Sequence, residues 1–543
     1  MGISENTIKR IEPFFFCLVV GLSLMPVLCY KFFPTLDGPA HLYNSTLIKN
    51  LLVGNNEIIN KYFVFNAIPV PNWSGHLLIM MFKAFLPAHI AEKMLLILYI
   101  AGFAYGFRYL ILTVSPENIF FSYLIFPFIF SFFLFLGFYN FSLAIVLLLF
   151  SITLWIRYDR KGLTLKRGII LFFFFILTYF SHLFSFLWLL VFICMYMGIN
   201  FSLALIHKEK NYRDLALVYS KKVLFLLAIS IIPIIFVFIY FNANPAYQNK
   251  SYIDKVELIE WLKNIRPIIA LQVAKEEAFT KKLFYLIGGL LSIIIFNKVN
   301  KIEFTGNTIV EKVTSLFKSV VDIKDAWLVA SVSLLYLYFK LPDSDGGIGY
   351  VSVRLAYFFF IFLVIWISVQ SLPKWLGIFS ALVALYCHFN LNQFYIKEEE
   401  NLNKAATECY TASEHIPENS VVLPLNWSDL WLHGHFSNYL GIDKPMVILE
   451  NYECNLNWFP LKWNNEELPA AQFGDLDMKS TSCLSLNSGR TKQASVQKID
   501  FVFILGNMET HTDSCATIIK QELNKSFELS YSTDHCKLFK LKK

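Results

Sequence analysis

The sequence predicts a polytopic α-helical membrane protein with a small α/β domain outside the membrane at its C-terminal end. Of the 543 residues, 56% are hydrophobic and 55 are phenylalanine, far more apolar than the usage of soluble domains. Apolar runs of about 20 residues recur between short polar breaks, and such runs cross a bilayer as helices. The alternation of polar and apolar residues is too weak for an outer-membrane barrel. After residue 391 the composition turns polar, which predicts a separate soluble domain.

The first apolar run, residues 13–33, sets the predicted topology. It lacks the small-residue cleavage site of a signal peptide, so we interpret it as the first membrane anchor. Lys9 and Arg10 precede it, and basic residues favour the cytoplasmic side. We therefore expect a cytoplasmic N-terminus and an external Asp37. The net charge of +7 then reflects topology, and it does not indicate a nucleic-acid partner.

The apolar runs together predict about eleven spans. After 13–33, the predicted spans are 89–113, 118–137, 138–157, 168–184, 185–206, 223–241, 283–297, 325–340, 354–372 and 375–391. Dense basic residues in the loop 298–324 agree with its predicted cytoplasmic location. In the external loops 34–88 and 242–282 we expect amphipathic helices. These elements make residues 1–391 the transmembrane module.

Residues 392–543 predict an extracytoplasmic α/β domain. The runs 420–425, 446–450 and 500–506 are typical of strands, and 514–529 is typical of a helix. In an oxidising compartment the domain's five cysteines predict two disulfides and one free thiol, with the connectivity left open. These cysteines are Cys409, Cys454, Cys483, Cys515 and Cys536. The sequence has no CxxC, so it does not support a zinc site of the usual spacing.

The segment 34-PTLDGPAHLYNS-45 contains the candidate catalytic residue, Asp37. On a structural interpretation Asp37 is a helix N-cap, with Pro39 in the first turn of an amphipathic interfacial helix. On a chemical interpretation it is a carboxylate at the outer mouth of the first span, with His41 one turn further on the same helix face. That position favours the chemical interpretation, because a membrane-borne substrate could reach it.

A second polar cluster, 341-LPDSDGGIGYVSVR-354, contains Asp343, Asp345 and Arg354. It predicts either a flexible turn with a snorkelling arginine or a guanidinium that binds phosphate oxygens in a two-pronged way. His182 lies at the outer end of a span, where a lone histidine is more often structural unless it lies near Asp37.

Other histidines and tryptophans carry weaker signals. The tripeptide 433-HGH-435 could suggest a metal, yet the nearby Trp427, Trp431 and Phe436 favour an aromatic binding surface or packing. Trp73, His76 and Trp261 in the outer loops are ambiguous, because tryptophan is common at membrane interfaces.

This arrangement resembles the GT-C superfamily of integral-membrane glycosyltransferases. Those proteins share an acidic residue in a first external loop with amphipathic helices, a cytoplasmic N-terminus and a soluble C-terminal domain. More narrowly, D37-G-P-A-H41, 136-LGFYNFSLAI-145, S181-H182 and R354-L-A-Y resemble a group of bacterial GT-C-like membrane proteins. The resemblance covers most of residues 1–391.

The resemblance implies transfer of a sugar, with inversion, from a polyprenyl-phosphate donor to a glycan, lipid or protein acceptor. The reaction would take place at the outer face of a bacterial inner membrane. The resemblance assigns to Asp37 the role of general base or, in metal-using branches, of metal ligand. Arg354 would stabilise the phosphate leaving group, and His41, His182, Asp343 and Asp345 would contact substrate. Many GT-C proteins have a paired acidic motif, whereas Gly38 follows Asp37 here, so a divalent metal cofactor is an open question.

Two other functions stay open at this stage. A transporter or flippase of lipid-linked glycans would carry ionisable residues in mid-span or inverted repeats. The sequence instead gathers its polar residues at outer helix ends. A non-enzymatic scaffold with a binding ectodomain would tolerate replacement of Asp37.

Overall fold

The computed structural model of the chain is mostly helical. It describes residues 5–207, 211–244, 249–302, 308, 315, 318–344, 349–464, 499–510 and 514–542. Among these residues, seven helices are long and apolar enough to cross a membrane. A small β-sheet lies in the C-terminal region. The coarse prediction, a helical protein with several candidate spans and a C-terminal sheet, is confirmed.

Helices make up most of the described chain. The first nine are α1 (Glu5–Ser23), α2 (Met25–Leu28), α3 (Gly38–Val53), α4 (Glu57–Tyr62), α5 (Ser74–Lys83), α6 (Ala88–Val114), α7 (Phe132–Phe135), α8 (Tyr139–Lys161) and α9 (Leu165–Ser181). Those that follow are α10 (Leu183–Ile206), α11 (Tyr212–Ala243), α12 (Lys255–Lys263), α13 (Val273–Val299), α14 (Ala326–Lys340), α15 (Val351–Val369), α16 (Lys374–Ala412) and α17 (Ser514–Ser526). The candidate spans are α6, α8, α10, α11, α13, α15 and the long helix that begins at Lys374.

The predicted count of about eleven spans differs from these seven. Helices α9 and α14 have 17 and 15 residues, fewer than the roughly 20 that cross the hydrocarbon core. The predicted span 118–137 is divided between a 3-10 helix, Pro116–Phe128, and the short α7. Pro127 lies inside that 3-10 segment, and proline disrupts the hydrogen bonding of a continuous α-helix.

The strands are β1 (Phe63–Phe65), β2 (Val421–Trp427), β3 (Val447–Ile448), β4 (Leu461–Trp463), β5 (Phe501–Gly506), β6 (Phe527–Ser532) and β7 (Cys536–Leu541). Five form a mixed sheet in the order β3-β2-β5-β7-β6, in which β2 runs parallel to β3 and β5. Strands β5, β7 and β6 pair antiparallel. The predicted strands at 420–425, 446–450 and 500–506 correspond to β2, β3 and β5.

The chain divides into two compact units. Unit 1 comprises Met1–Ser23, Tyr99–Phe133 and Phe141–Gln393, and unit 2 comprises Leu24–Leu98, Leu134–Asn140 and Phe394–Lys543. Residues of the first external loop, which the sequence assigns to the transmembrane module, therefore belong to the same unit as the C-terminal region. Within unit 2, β1 from that loop pairs antiparallel with β4 from the C-terminal region.

Helix α3 is buried in unit 2. Its residues from Gly38 to Ile48 are all buried, while Leu52 is exposed. Tyr43 fixes the helix to the C-terminal region, because its hydroxyl donates to the carbonyl of Met446 and accepts from the amide of Ile448. The expected amphipathic interfacial helix is therefore a core helix over its first three turns.

Candidate functional site

Asp37 lies at the N-cap position of α3, but its side chain does not cap the helix. The carboxylate accepts no capping hydrogen bond from the first turn. Thr35 takes over part of this role, because its Oγ1 accepts from the amide of Gly38 at 3.1 Å. Asp37 is 5% exposed, so its carboxylate is buried and available for other partners within unit 2.

Two glycines allow the chain to hold Asp37 in this position. Gly137 has φ +76° and lies so close that a Cβ there would come within 2.7 Å of the amide nitrogens of Asp37 and Gly38. A Cβ at Gly38 would lie 2.5 Å from Thr35 Oγ1 and 2.6 Å from the Tyr139 hydroxyl. The amide of Asp37 donates to the carbonyl of Leu136 at 3.1 Å. The segment 134–140 therefore acts as a close-packed support for the Asp-Gly step.

The first partner of Asp37 is His435, which follows β2 in the C-terminal region. His435 Nε2 lies 3.5 Å from Asp37 Oδ1, and its Nδ1 lies 2.5 Å from Glu450 Oε1. Glu450 also accepts hydrogen bonds from Ser437 and Asn438. The ring of Tyr452 stacks on the imidazole with centroids 4.2 Å apart. Because Glu450 fixes one nitrogen of His435, the other is directed at Asp37.

A second cluster lies beside Asp37 and consists of His41, His76 and Glu453. His41 Nδ1 and His76 Nε2 are 3.0 Å apart, and each lies within 3.0 Å of a Glu453 oxygen. All three residues are buried, and their candidate ligand atoms lie within 4.8 Å of one another. Asn44 Nδ2 donates to Glu453 Oε2 at 2.6 Å. Two imidazoles and a carboxylate in this arrangement could hold a metal ion.

Burial and charge shift the pKa values of these groups. Burial raises the pKa of Asp37 to about 6, even though the nearby His435 and His41 favour its charged form. For His435, burial favours the neutral ring, but Glu450 and then Asp37 outweigh it and raise the pKa to about 9. For Glu453, burial would raise the pKa, and the two histidines lower it well below its usual range. The site therefore combines a carboxylate that accepts protons near neutral pH with an imidazolium and an anion.

The other predicted substrate contacts lie in unit 1. His182 occupies the junction of α9 and α10, with its ring 4.9 Å from that of Phe141. The guanidinium of Arg354, in α15, lies 5.9 Å from the same ring and from that of Phe133. Unit 1 thus brings His182 and Arg354 to one aromatic side chain, and their role in substrate binding stays a prediction.

Asp343 stabilises a helix end. Its Oδ1 accepts from the amide of Ser352, in the first turn of α15, at 2.9 Å. Asp345, the other acidic residue of that predicted cluster, lies outside the described residues.

The tripeptide 433-HGH-435 separates into two environments. His435 contacts Asp37, whereas Ser428 Oγ hydrogen-bonds His433 Nδ1 at 2.8 Å. Among the predicted disulfide residues, Cys409, Cys454 and Cys536 carry free thiols, and those of Cys409 and Cys536 hydrogen-bond each other. Cys483 and the side chain of Cys515 lie outside the described part.

Sequence reasoning missed three members of the site. Glu450 and Glu453 lie in a short apolar context, 446-MVILENYECN-455, that carries no recognisable motif, and His76 was one ambiguous residue of an outer loop. The only available signal was the concentration of histidines and acidic residues in two regions far apart in sequence. Comparison with known proteins gives no family for the chain: no protein-family model matches it, and no curated protein matches it significantly.

Proposed function

We propose that the protein is a GT-C-type glycosyltransferase that transfers a sugar from a polyprenyl-phosphate donor to an acceptor hydroxyl with inversion. In this proposal it lies in a bacterial inner membrane, with the N-terminus in the cytoplasm and the C-terminal domain outside. The acceptor is a glycan, a lipid or a protein, and the product belongs to the cell envelope.

The observation that carries the proposal is the state of Asp37. A carboxylate that only capped its helix would accept the amide hydrogens of the first turn. Asp37 accepts none of them, is buried, and instead lies 3.5 Å from a histidine that a second carboxylate orients. Buried carboxylates with raised pKa values and oriented histidines are typical of acid–base sites.

In the proposed reaction Asp37 is the general base. The acceptor oxygen forms a bond to the anomeric carbon while the bond from that carbon to the phosphate oxygen breaks. The bonding electrons leave with polyprenyl phosphate, and the hydroxyl proton moves to Asp37. A single displacement inverts the anomeric centre. A pKa of about 6 makes Asp37 a better proton acceptor than an ordinary aspartate. His435 is a positioning residue that holds the carboxylate through its Nε2.

The test is transfer of radiolabelled sugar from a panel of polyprenyl-phosphate sugars in membranes that contain the full-length protein. Asp37→Asn keeps the shape of the side chain and removes the base, so we expect transfer to fall about 100-fold or more. The matched control is Asp443→Asn, the same change at an exposed carboxylate of unit 2. Control membranes should transfer sugar as the wild type does.

Two results would refute the proposal. One is undiminished transfer by Asp37→Asn at matched expression. The other is a folded wild-type protein that transfers no sugar from any donor of the panel, which would favour the transporter or the scaffold.

A further inference from the structure

The cluster of His41, His76 and Glu453 has fixed proton positions. His41 Nε2 lies 2.9 Å from the carbonyl oxygen of Gly137, and His76 Nδ1 lies 3.0 Å from that of Asn72. A carbonyl oxygen only accepts hydrogen bonds, so both of these nitrogens carry hydrogens. In the neutral rings the other two nitrogens, His41 Nδ1 and His76 Nε2, therefore present lone pairs.

Those lone pairs converge on one point together with the carboxylate. The two nitrogens are 3.0 Å apart, and Glu453 oxygens lie 3.0 Å and 2.8 Å from them. Without a cation between them, three electron-rich groups would repel one another in a site that water does not reach. A proton on each ring would let both rings donate to Glu453 but would leave the two N–H groups 3.0 Å apart, whereas one divalent ion contacts all three groups.

The surroundings have the features of a metal centre. Metal-binding histidines usually donate their other ring N–H to a carbonyl or a carboxylate, and ligating carboxylates are themselves hydrogen-bonded. Both histidines meet the first condition, and Asn44 meets the second by donating to Glu453. The ring of Phe459 lies 6.4 Å from that of His41 and 6.1 Å from that of His76, which adds an apolar wall.

The ligand types favour a transition metal ion such as zinc over Mg²⁺ and Ca²⁺. Mg²⁺ and Ca²⁺ prefer oxygen ligands, whereas two imidazoles and one carboxylate suit Zn²⁺. Three protein ligands also leave the fourth position of a tetrahedral zinc ion for a further ligand. Asp37 is not one of the three residues, since its carboxylate is directed to His435.

We propose that His41, His76 and Glu453 form a zinc site that joins the first external loop to the C-terminal region within unit 2. The three ligands come from α3, from α5 and from the segment after β3, so a bound ion would link three parts of the chain. This site goes beyond the proposed sugar transfer and does not depend on it.

The experiment uses the full-length protein in detergent, purified with a tag that contains no histidine. Bound metal is removed with a chelator, Zn²⁺ alone is added back, and zinc per chain is measured by mass spectrometry after desalting. We expect one zinc ion per wild-type chain. Competition with a chromogenic chelator should show that Glu453→Gln and His76→Gln weaken binding by more than about 100-fold, since even outer-shell changes cost 10–100-fold. Asn44→Ala should weaken it by about 10–100-fold.

The matched control is His433→Gln, a histidine of the same unit that lies outside the cluster, and it should bind zinc as the wild type does. A wild-type protein that stays folded and binds no zinc would overturn the inference, as would equal affinity in Glu453→Gln. If the ligand variants fail to fold, X-ray absorption of the zinc-loaded wild type decides. It should show two imidazole nitrogens at about 2.0–2.1 Å, and a shell without imidazole would refute the site.

Zinc content and sugar transfer are independent measurements. Zinc binding in a protein that transfers no sugar would leave this inference standing and refute the proposed function. Conversely, Asp37-dependent sugar transfer by a protein that binds no zinc would support the proposed function and overturn the zinc site.

Discussion

Replacement of Gly137 by alanine should destabilise unit 2 more than the same change at Gly54. Both glycines have left-handed backbone conformations, with φ of +76° and +72°, so alanine costs about 1 kcal/mol or slightly more at either. A Cβ at Gly54 meets nothing within 4 Å, whereas one at Gly137 comes within 2.7 Å of the amide nitrogens of Asp37 and Gly38. Gly54→Ala therefore isolates the backbone strain.

The additional cost at Gly137 follows from what must move. Ordinary contact begins at 3.4 Å, so the Asp37–Gly38 peptide has to shift by several tenths of an ångström. The backbone just before that peptide is held by hydrogen bonds from the amide of Leu36 to the carbonyl of Phe135 and from the amide of Asp37 to the carbonyl of Leu136. Losing both costs about 2 kcal/mol, at about 1 kcal/mol each. Overpacking alone costs about 1–3 kcal/mol, which agrees with this value.

The assay is thermal unfolding of the full-length protein in detergent at one scan rate, followed by intrinsic fluorescence. For a domain the size of unit 2, about 2 kcal/mol corresponds to about 4–8 °C, so Gly137→Ala should unfold at a temperature lower than Gly54→Ala by that amount. Equal midpoints for the two variants would show that the 134–140 segment does not press on Asp37, and our account of its support would be wrong.

Three further predictions concern residues outside the central cluster. Asp343→Ala should cost about 1 kcal/mol of stability in thermal unfolding, because it removes the hydrogen bond from the amide of Ser352. Asp343→Asn can still accept this hydrogen bond and should keep the stability of the wild type. A large loss of sugar transfer by the stable Asn variant would instead support a role of Asp343 in substrate binding. Burial and the neighbouring His535 lower the pKa of His433 to about 4. Between pH 6.5 and 4 the unfolded chain therefore binds a proton that the folded chain does not, and stability should fall by up to about 3 kcal/mol as the pH falls through that range. Thermal unfolding of His433→Gln should lack this pH dependence, and identical pH curves for the two proteins would contradict the prediction. The adjacent thiols of Cys409 and Cys536 should form a disulfide under mild oxidation, detected as a linked peptide by mass spectrometry, and two separately alkylated thiols after oxidation would argue against it.

The sequence was sufficient for local features of unit 2. The spacing of Asp37 and His41 predicted one helical turn between them, and α3 begins at Gly38 as the Asp-Gly-Pro pattern indicates. The strands near 420 and 500 were predictable because continuous apolar runs are typical of buried parallel strands. The two strands pair in parallel in the sheet.

The sequence was insufficient where distant segments meet. The predicted surface helix is buried from Gly38 to Ile48, and residues 442–453 contact it through Tyr43, Asn44 and Thr46. His435 and Glu453 lie about 400 residues after their partners Asp37 and Asn44, and a single sequence carries no record of such pairings. The apolar run 118–137 was interpreted as a span on length alone, although Pro127 inside it already argued against one continuous helix.

Unit 2 is formed by three separate stretches of the chain. This arrangement constrains the order in which its parts can assemble during synthesis. His76 and Glu453 are 377 positions apart. At a synthesis rate of about 5–20 residues per second, the ribosome needs about 20–75 seconds to deliver the carboxylate after the histidine. During that interval α3 lacks the partners that Met446, Ile448 and Glu453 provide. Assembly of the site therefore cannot begin until Glu453 has been synthesised, and a chain that stops before β2 should expose α3 to proteolysis.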